Sequence, residues 1–201
     1  MLGIVDYKMG NLASVQNAFL KLGAKVKILK EPSEILACSH LVLPGVGAFK
    51  EAMLHLEQKC FKEALNEFIK SGKPLLGICL GMQLLFERSF EFGESKGLCF
   101  LKGDILPFSE SLSKDFKIPH VGWNEVRRIK ESPLLEGIEE RFYLYFVHSF
   151  YAKNNENTIG LSEYGVQFTS IVQKDNIFGI QPHPEKSQDV GLKILENFIK
   201  I

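Results

Sequence analysis

No stretch of this chain approaches the roughly 18 uninterrupted apolar residues of a membrane-crossing helix, and the N-terminus enters a strand-like run instead of a charged region followed by an apolar one. A soluble, cytoplasmic protein without an export signal is expected. Charge of neither sign is in excess, with 24 basic against 24 acidic residues, and no Lys/Arg cluster is longer than Arg127-Arg128. That excludes a nucleic-acid stripe and a polybasic membrane patch. The four cysteines, Cys38, Cys60, Cys79 and Cys99, form no C-x-x-C pair and show no metal-ligand spacing, which suits a reducing compartment and argues against structural zinc. Glycine-bearing segments match neither G-x-G-x-x-G nor G-x-x-x-x-G-K-[ST], so a nucleotide site is not expected. Tryptophan occurs once against 16 phenylalanines, and composition does not separate an aromatic core from a partner surface.

What the chain does contain is an alternation of short apolar runs with amphipathic stretches. Leu2 to Val5 reads as a strand, Asn11 as the cap of a helix carrying Leu12, Val15, Phe19 and Leu22 on one face up to Gly23, and Ala24 to Leu29 as the next strand. Leu41 to Leu43 is a third strand, followed by Pro44-Gly45-Val46-Gly47-Ala48-Phe49 and a helix through Met53 and Leu56. A further helix spans Phe61 to Ile69. Behind the turn Ser71-Gly72-Lys73-Pro74, Leu75 to Ile78 reads as a buried parallel strand. Between Gly97 and Phe178 the strand-like pieces read as shorter and more alternating, as in Tyr143 to Val147 and Gln167 to Val172, with turns at Asn154 to Asn157 and Lys174 to Asn176. A helix from Val190 to Ile199 turns Ile194, Leu195, Phe198 and Ile199 inward. With no internal repeat or low-complexity linker, the expectation is a single α/β domain over residues 1–201. It has a mostly parallel central sheet, helices on both faces and antiparallel additions.

Chemistry in such a fold gathers beyond the carboxyl ends of the strands. Cys79 stands there, at the end of Leu75 to Ile78 and before the helical pattern that starts at Met82, with Gly77 and Gly81 leaving room for a sharp turn. Helix N-terminal amides at such a turn favour a thiolate. A buried cysteine acting only as a small hydrophobe is the alternative reading. A nucleophile needs a base. Among His40, His55, His120, His148 and His183, the last lies after the apolar run Ile177 to Ile180, is held between Pro182 and Pro184, and has Glu185 two residues on. Cys79, His183 and Glu185 therefore read as nucleophile, base and orienting carboxylate. Two backbone amides from separate loops, one near Val46 or Gly47 and one from Leu80, read as an oxyanion hole, against the alternative that Gly45 to Gly47 merely shortens a loop.

The segments Asp6-Tyr7 with Gly10-Asn11-Leu12, Leu43 to Phe49, Gly77 to Gln83, Pro119 to Asn124, Tyr145 to Phe150 and His183 to Ser187 occur in the order seen in class I (triad) glutamine amidotransferases. The whole chain resembles that family, and within it the glutaminase subunits of imidazole glycerol phosphate synthase. The resemblance implies that Cys79 attacks the side-chain amide of L-glutamine, with His183 as base and acid and Glu185 as orienter. It implies that Val46, Gly47 and Leu80 meet the oxyanion, and that Gln83, Glu91, His148 and Ser149 hold the polar end of glutamine. Lys8, Asn11, Trp123, Asn124 and Lys186 would surround the mouth against a (β/α)8-barrel cyclase subunit in a heterodimer, with Tyr7 to Asn11 and Trp123 in one patch. No metal or organic cofactor is implied. Two departures stand out: Lys8 where the family commonly has glycine, and Pro182 where phenylalanine usually precedes the histidine. Both leave open a related glutaminase that feeds a surface-sugar amidating synthase. A cysteine hydrolase or peptidase of similar fold is the reading from another class.

Overall fold

A strand that is apolar at every position needs cover on both faces, and the computed structural model, which describes residues 1–201, supplies it. The first half runs β1 (Leu2–Val5), α1 (Leu12–Lys21), β2 (Val26–Leu29), β3 (His40–Gly45), α2 (Phe49–Gln58), α3 (Phe61–Lys70), β4 (Leu75–Cys79) and α4 (Leu80–Leu84). The second half adds β5 (Arg88–Ser89), β6 (Ser95–Lys96), β7 (Asp104–Pro107), β8 (His120–Arg128), β9 (Arg141–His148), β10 (Phe150–Ala152), β11 (Thr158–Tyr164), β12 (Val166–Lys174), β13 (Ile177–Ile180) and α5 (Gln188–Lys200).

All thirteen strands belong to one sheet, whose main path is β2-β1-β3-β4-β13-β12-β10-β7-β5-β6. From β2 to β13 every pairing is parallel, and from β13 to β12 it turns antiparallel. β13 thus joins the parallel half to the antiparallel one. Alternate residues feed two cores. Leu76 and Ile78 of β4 pack with Phe19 of α1 and Ile194 and Phe198 of α5. On the other face Leu75 packs with Phe49, Leu56 and Phe61 of α2 and α3 and Met82 of α4.

The helical ends follow the local chemistry read from the sequence. Asn11 Oδ1 accepts a hydrogen bond from the Ser14 amide at 3.3 Å and starts α1. Gly23 takes the left-handed φ of +79° that ends it. One expectation is corrected: the antiparallel strands β8, β9, β11 and β12 are 7 to 9 residues long, longer than the 4 to 6 of the parallel ones. They pair in the order β12-β11-β8-β9, and buried Thr158, Ser162, Thr169 and Ser170 interrupt the apolar runs of β11 and β12. The five-residue α4 also begins two residues before the expected Met82.

Candidate active site

Cys79 ends β4 with φ 54° and ψ −114°, a strained conformation for a residue with a side chain. The flanking glycines make it possible. A Cβ on Gly81 would fall 1.8 Å from the Leu43 carbonyl oxygen, and one on Gly77 would fall 2.7 Å from the Gly81 oxygen. α4 therefore lies directly against β3 and β4, and the turn lifts Cys79 out of the sheet. β3 ends alongside it, with Gly45 in register with Cys79. The next residues, Val46 and Gly47, are exposed, and their amides make no hydrogen bond within the protein. Tyr7 fixes the approach to this loop, because its buried hydroxyl donates to the Pro44 carbonyl at 2.6 Å. Burial, and secondarily the charge of Cys79, keep that phenol protonated well above the usual range.

The base arrives on the neighbouring strand. Ile180 of β13 is in register with Ile78 of β4, so the segment leaving β13 passes beside Cys79. The His183 amide donates to the Tyr145 carbonyl of β9 at 2.9 Å, and His183 Nδ1 lies 2.8 Å from Glu185 Oε1. The Glu185 side chain is 1% exposed, and its Oε2 has no partner within the protein. Burial alone would lower the pKa of His183; hydrogen bonds to Cys79 and Glu185, and their charge, outweigh it and push the imidazole up to about 10. Facing a thiolate, this ring holds its proton at neutral pH.

A cavity of about 340 Å³ opens over these groups. Its lining brings together Cys79, His183, the three residues read as the oxyanion hole, the four read as glutamine contacts, and Lys186. Glu185 sits behind the histidine. Of the four proposed contacts, Gln83 Nε2 donates to the Phe150 carbonyl at 3.1 Å and to Gln181 Oε1 at 2.9 Å. Glu91 Oε2 accepts from the Phe49 amide at 2.6 Å, which caps α2, whose own N-cap is the incapable Ala48. Burial raises the pKa of this carboxylate against the opposing effect of that amide.

His148 is tied differently from what a ligand contact suggests. Its Nδ1 lies 2.8 Å from the Phe150 carbonyl, which can only accept, so Nδ1 carries the hydrogen and Nε2 accepts from His120 Nδ1 at 2.9 Å. His120 Nε2 then accepts from Asn124 Nδ2 at 3.3 Å. Burial lowers His148 to about 3 and His120 to about 4, so both rings are neutral.

The sequence matches the class-I glutamine amidotransferase family over residues 3–201. The chain belongs to that family. The imidazole glycerol phosphate synthase subunit HisH of Wolinella succinogenes is 59% identical to it over 204 residues, covering 100% of both chains. The subunit of the same name from Methanocaldococcus jannaschii is 46% identical over 202 residues, again covering 100% of both. Among solved structures, PurLQS from Thermotoga maritima is similar with a TM-score of 0.78 at 18% identity, over 99% of this chain and 97% of that one, a likeness of fold.

In this amidotransferase the residues read as a partner face are not all gathered at one mouth. Lys186 lines the cavity, and Met9, next to Lys8, reaches the Gly47 loop. Lys8 is exposed at φ +72°, in the left-handed region that glycine adopts without strain. Trp123 is 47% exposed, so it does not fill the core of the second half, but it lines a separate groove instead of the Cys79 cavity. Tyr7, expected in the same patch, is wholly buried under Pro44 because its hydroxyl has an acceptor there. Asn124 is half-buried and engaged with His120 and the Glu163 carbonyl. The sequence does not announce the roles of Tyr7 under Pro44, of His120 beside His148, or of Gln181 beside Cys79. Each of these contacts joins residues far apart in the chain, so no local spacing marks it.

Proposed function

We infer that the protein is the glutaminase subunit of an imidazole glycerol phosphate synthase, working in the cytoplasm. The observation that carries the chemistry is the meeting of Cys79 and the 2.8 Å His183–Glu185 pair at one small cavity. The Cys79 thiolate attacks the side-chain carbonyl carbon of L-glutamine, and the negative charge moves to oxygen, facing the amides of Val46, Gly47 and Leu80. The His183 imidazolium gives its proton to the departing nitrogen, the C–N bond breaks, and ammonia leaves a thioester on Cys79. Water, deprotonated by His183, then attacks the thioester, releasing glutamate and the thiolate. Glu185 holds the ring through Nδ1 during both proton transfers. Gln83, Glu91, His148 and Ser149 line the same cavity and receive the substrate's charged backbone groups; Gln83 and Glu91 present carbonyl and carboxylate oxygens to its ammonium.

The ammonia has a consumer. A (β/α)8-barrel cyclase, docked over Lys8, Asn11, Trp123, Asn124 and Lys186 as a heterodimer, receives it for histidine biosynthesis. The amides of Val46 and Gly47 belong to an exposed loop, and a partner seated there completes the donor arrangement. The test is glutamine turnover by the purified protein, alone and mixed with the same cell's cyclase and its formimino ligand. Stimulation of at least about tenfold is expected, the size of one oxyanion donor brought into place. Equal turnover with and without the cyclase overturns the assignment; stimulation only by a sugar-amidating synthase keeps the glutaminase and changes its partner.

A further inference from the structure

We propose that Gln181 is a further catalytic residue, donating a hydrogen bond to the Cys79 sulfur from inside the protein, a reading that rests on the glutaminase assignment. Gln181 is 1% exposed and follows β13 directly; its amide is fixed by the Ser170 carbonyl at 2.8 Å. Its side-chain Nε2 lies 3.8 Å from Cys79 Sγ. Which end of the carboxamide faces the sulfur follows from the neighbours. The Phe150 carbonyl only accepts, so the Gln83 atom 3.1 Å from it is the nitrogen; that nitrogen also donates to Gln181, whose facing atom at 2.9 Å is therefore the oxygen. The NH2 group is left for the sulfur.

Gln181 does not line the cavity, so it does not compete with glutamine for the thiolate. The sulfur is held in both protonation states. As a thiol it donates to the Val147 carbonyl at 3.9 Å; as a thiolate it accepts from Gln181 and faces His183. A neutral donor in this position stabilises the nucleophile without supplying a second proton that would compete with His183 for the leaving nitrogen. The same carboxamide touches Gln83 on its other side, so the nucleophile and a glutamine-binding side chain share one rigid contact.

The test is the pH profile of Cys79 alkylation by iodoacetamide, read by mass mapping of the Cys79 peptide, beside glutamine turnover in the presence of the partner. Gln181→Met keeps the bulk and removes the donor. The half-maximal pH of alkylation is expected to move up by about one unit, equivalent to a roughly tenfold slower reaction at neutral pH, for a hydrogen bond to a charged atom. kcat should fall about as much, with KM little changed. Gln181→Glu keeps the acceptor for Gln83 but sets an acceptor against the sulfur, and should move the midpoint at least as far. A profile identical to the parent's in a folded Gln181→Met protein overturns the proposal, as does lost stability or activity with an unmoved midpoint. If Gln181→Met does not fold, the Gln181→Glu profile decides by the same criterion. Absence of glutamine hydrolysis in the parent with every partner would sink the glutaminase reading alone, because alkylation of Cys79 needs no glutamine.

Discussion

At the scale of single residues, the His183–Glu185 contact asks most of the local backbone and was also the most legible. Two prolines restrict the residues around His183, and a carboxylate two positions on reaches the ring only if the chain between turns tightly, as it does in the one-turn 3₁₀ segment Pro184–Lys186. Glu185→Gln should reduce glutamine turnover by about 10- to 100-fold, because a neutral amide supports the imidazolium less well than a charge-assisted hydrogen bond does. His183→Ala, which removes proton transfer itself, should cost roughly 10²- to 10⁴-fold. Steady-state assays with the partner present measure both, and unchanged turnover in Glu185→Gln would remove that residue from the chemistry. Gln181 was illegible for the opposite reason. Its partners, Cys79, Gln83 and Ser170, all come from elsewhere in the chain, so no spacing in the sequence announces it.

At the scale of elements, the decisive packing is α4 against β3. Gly81→Ala would drive a methyl group into the Leu43 carbonyl oxygen, and either the strand or the helix must move. A loss of about 1–3 kcal/mol in unfolding free energy is expected from urea titration, as for other overpacked sites. Glutamine turnover should fall further than stability alone explains, since Cys79 precedes the displaced helix by one residue. A Gly81→Ala protein as stable and active as its parent would show that the close approach is dispensable. The parallel strands and flanking helices were readable because burial on both faces leaves uninterrupted apolar runs. The antiparallel strands run longer than their apolar pieces because polar residues sit within them: buried Thr158 and Ser162 of β11 hydrogen-bond to Thr169 and Ser170 of β12, and exposed Arg127 and Arg141 lie toward the paired ends of β8 and β9.

At the scale of the whole molecule, the neutral His120–His148 pair makes the fold sensitive to acid. Below the ordinary histidine value of 6.5 the unfolded chain takes up protons that the folded pair refuses until about pH 4 and about pH 3. Stability associated with these rings is therefore full above pH 6.5 and falls as pH drops toward 4. His183 has the opposite sign: its contribution is full below 6.5 and is lost as pH rises through about 10. Thermal unfolding across pH 4 to 7 should show a shallower acid decline in His120→Gln than in the parent, and parallel curves would refute the linkage. β13 lies between β4 and β12 in the sheet and follows both in the chain, so it is made after them. A polypeptide still emerging from the ribosome carries the thiol long before it carries the histidine, and the two sheet halves have no shared edge until that strand slots in. Half-made chains are thus barred from squandering the cell's glutamine, and any premature stop ahead of residue 177 yields a product without the imidazole.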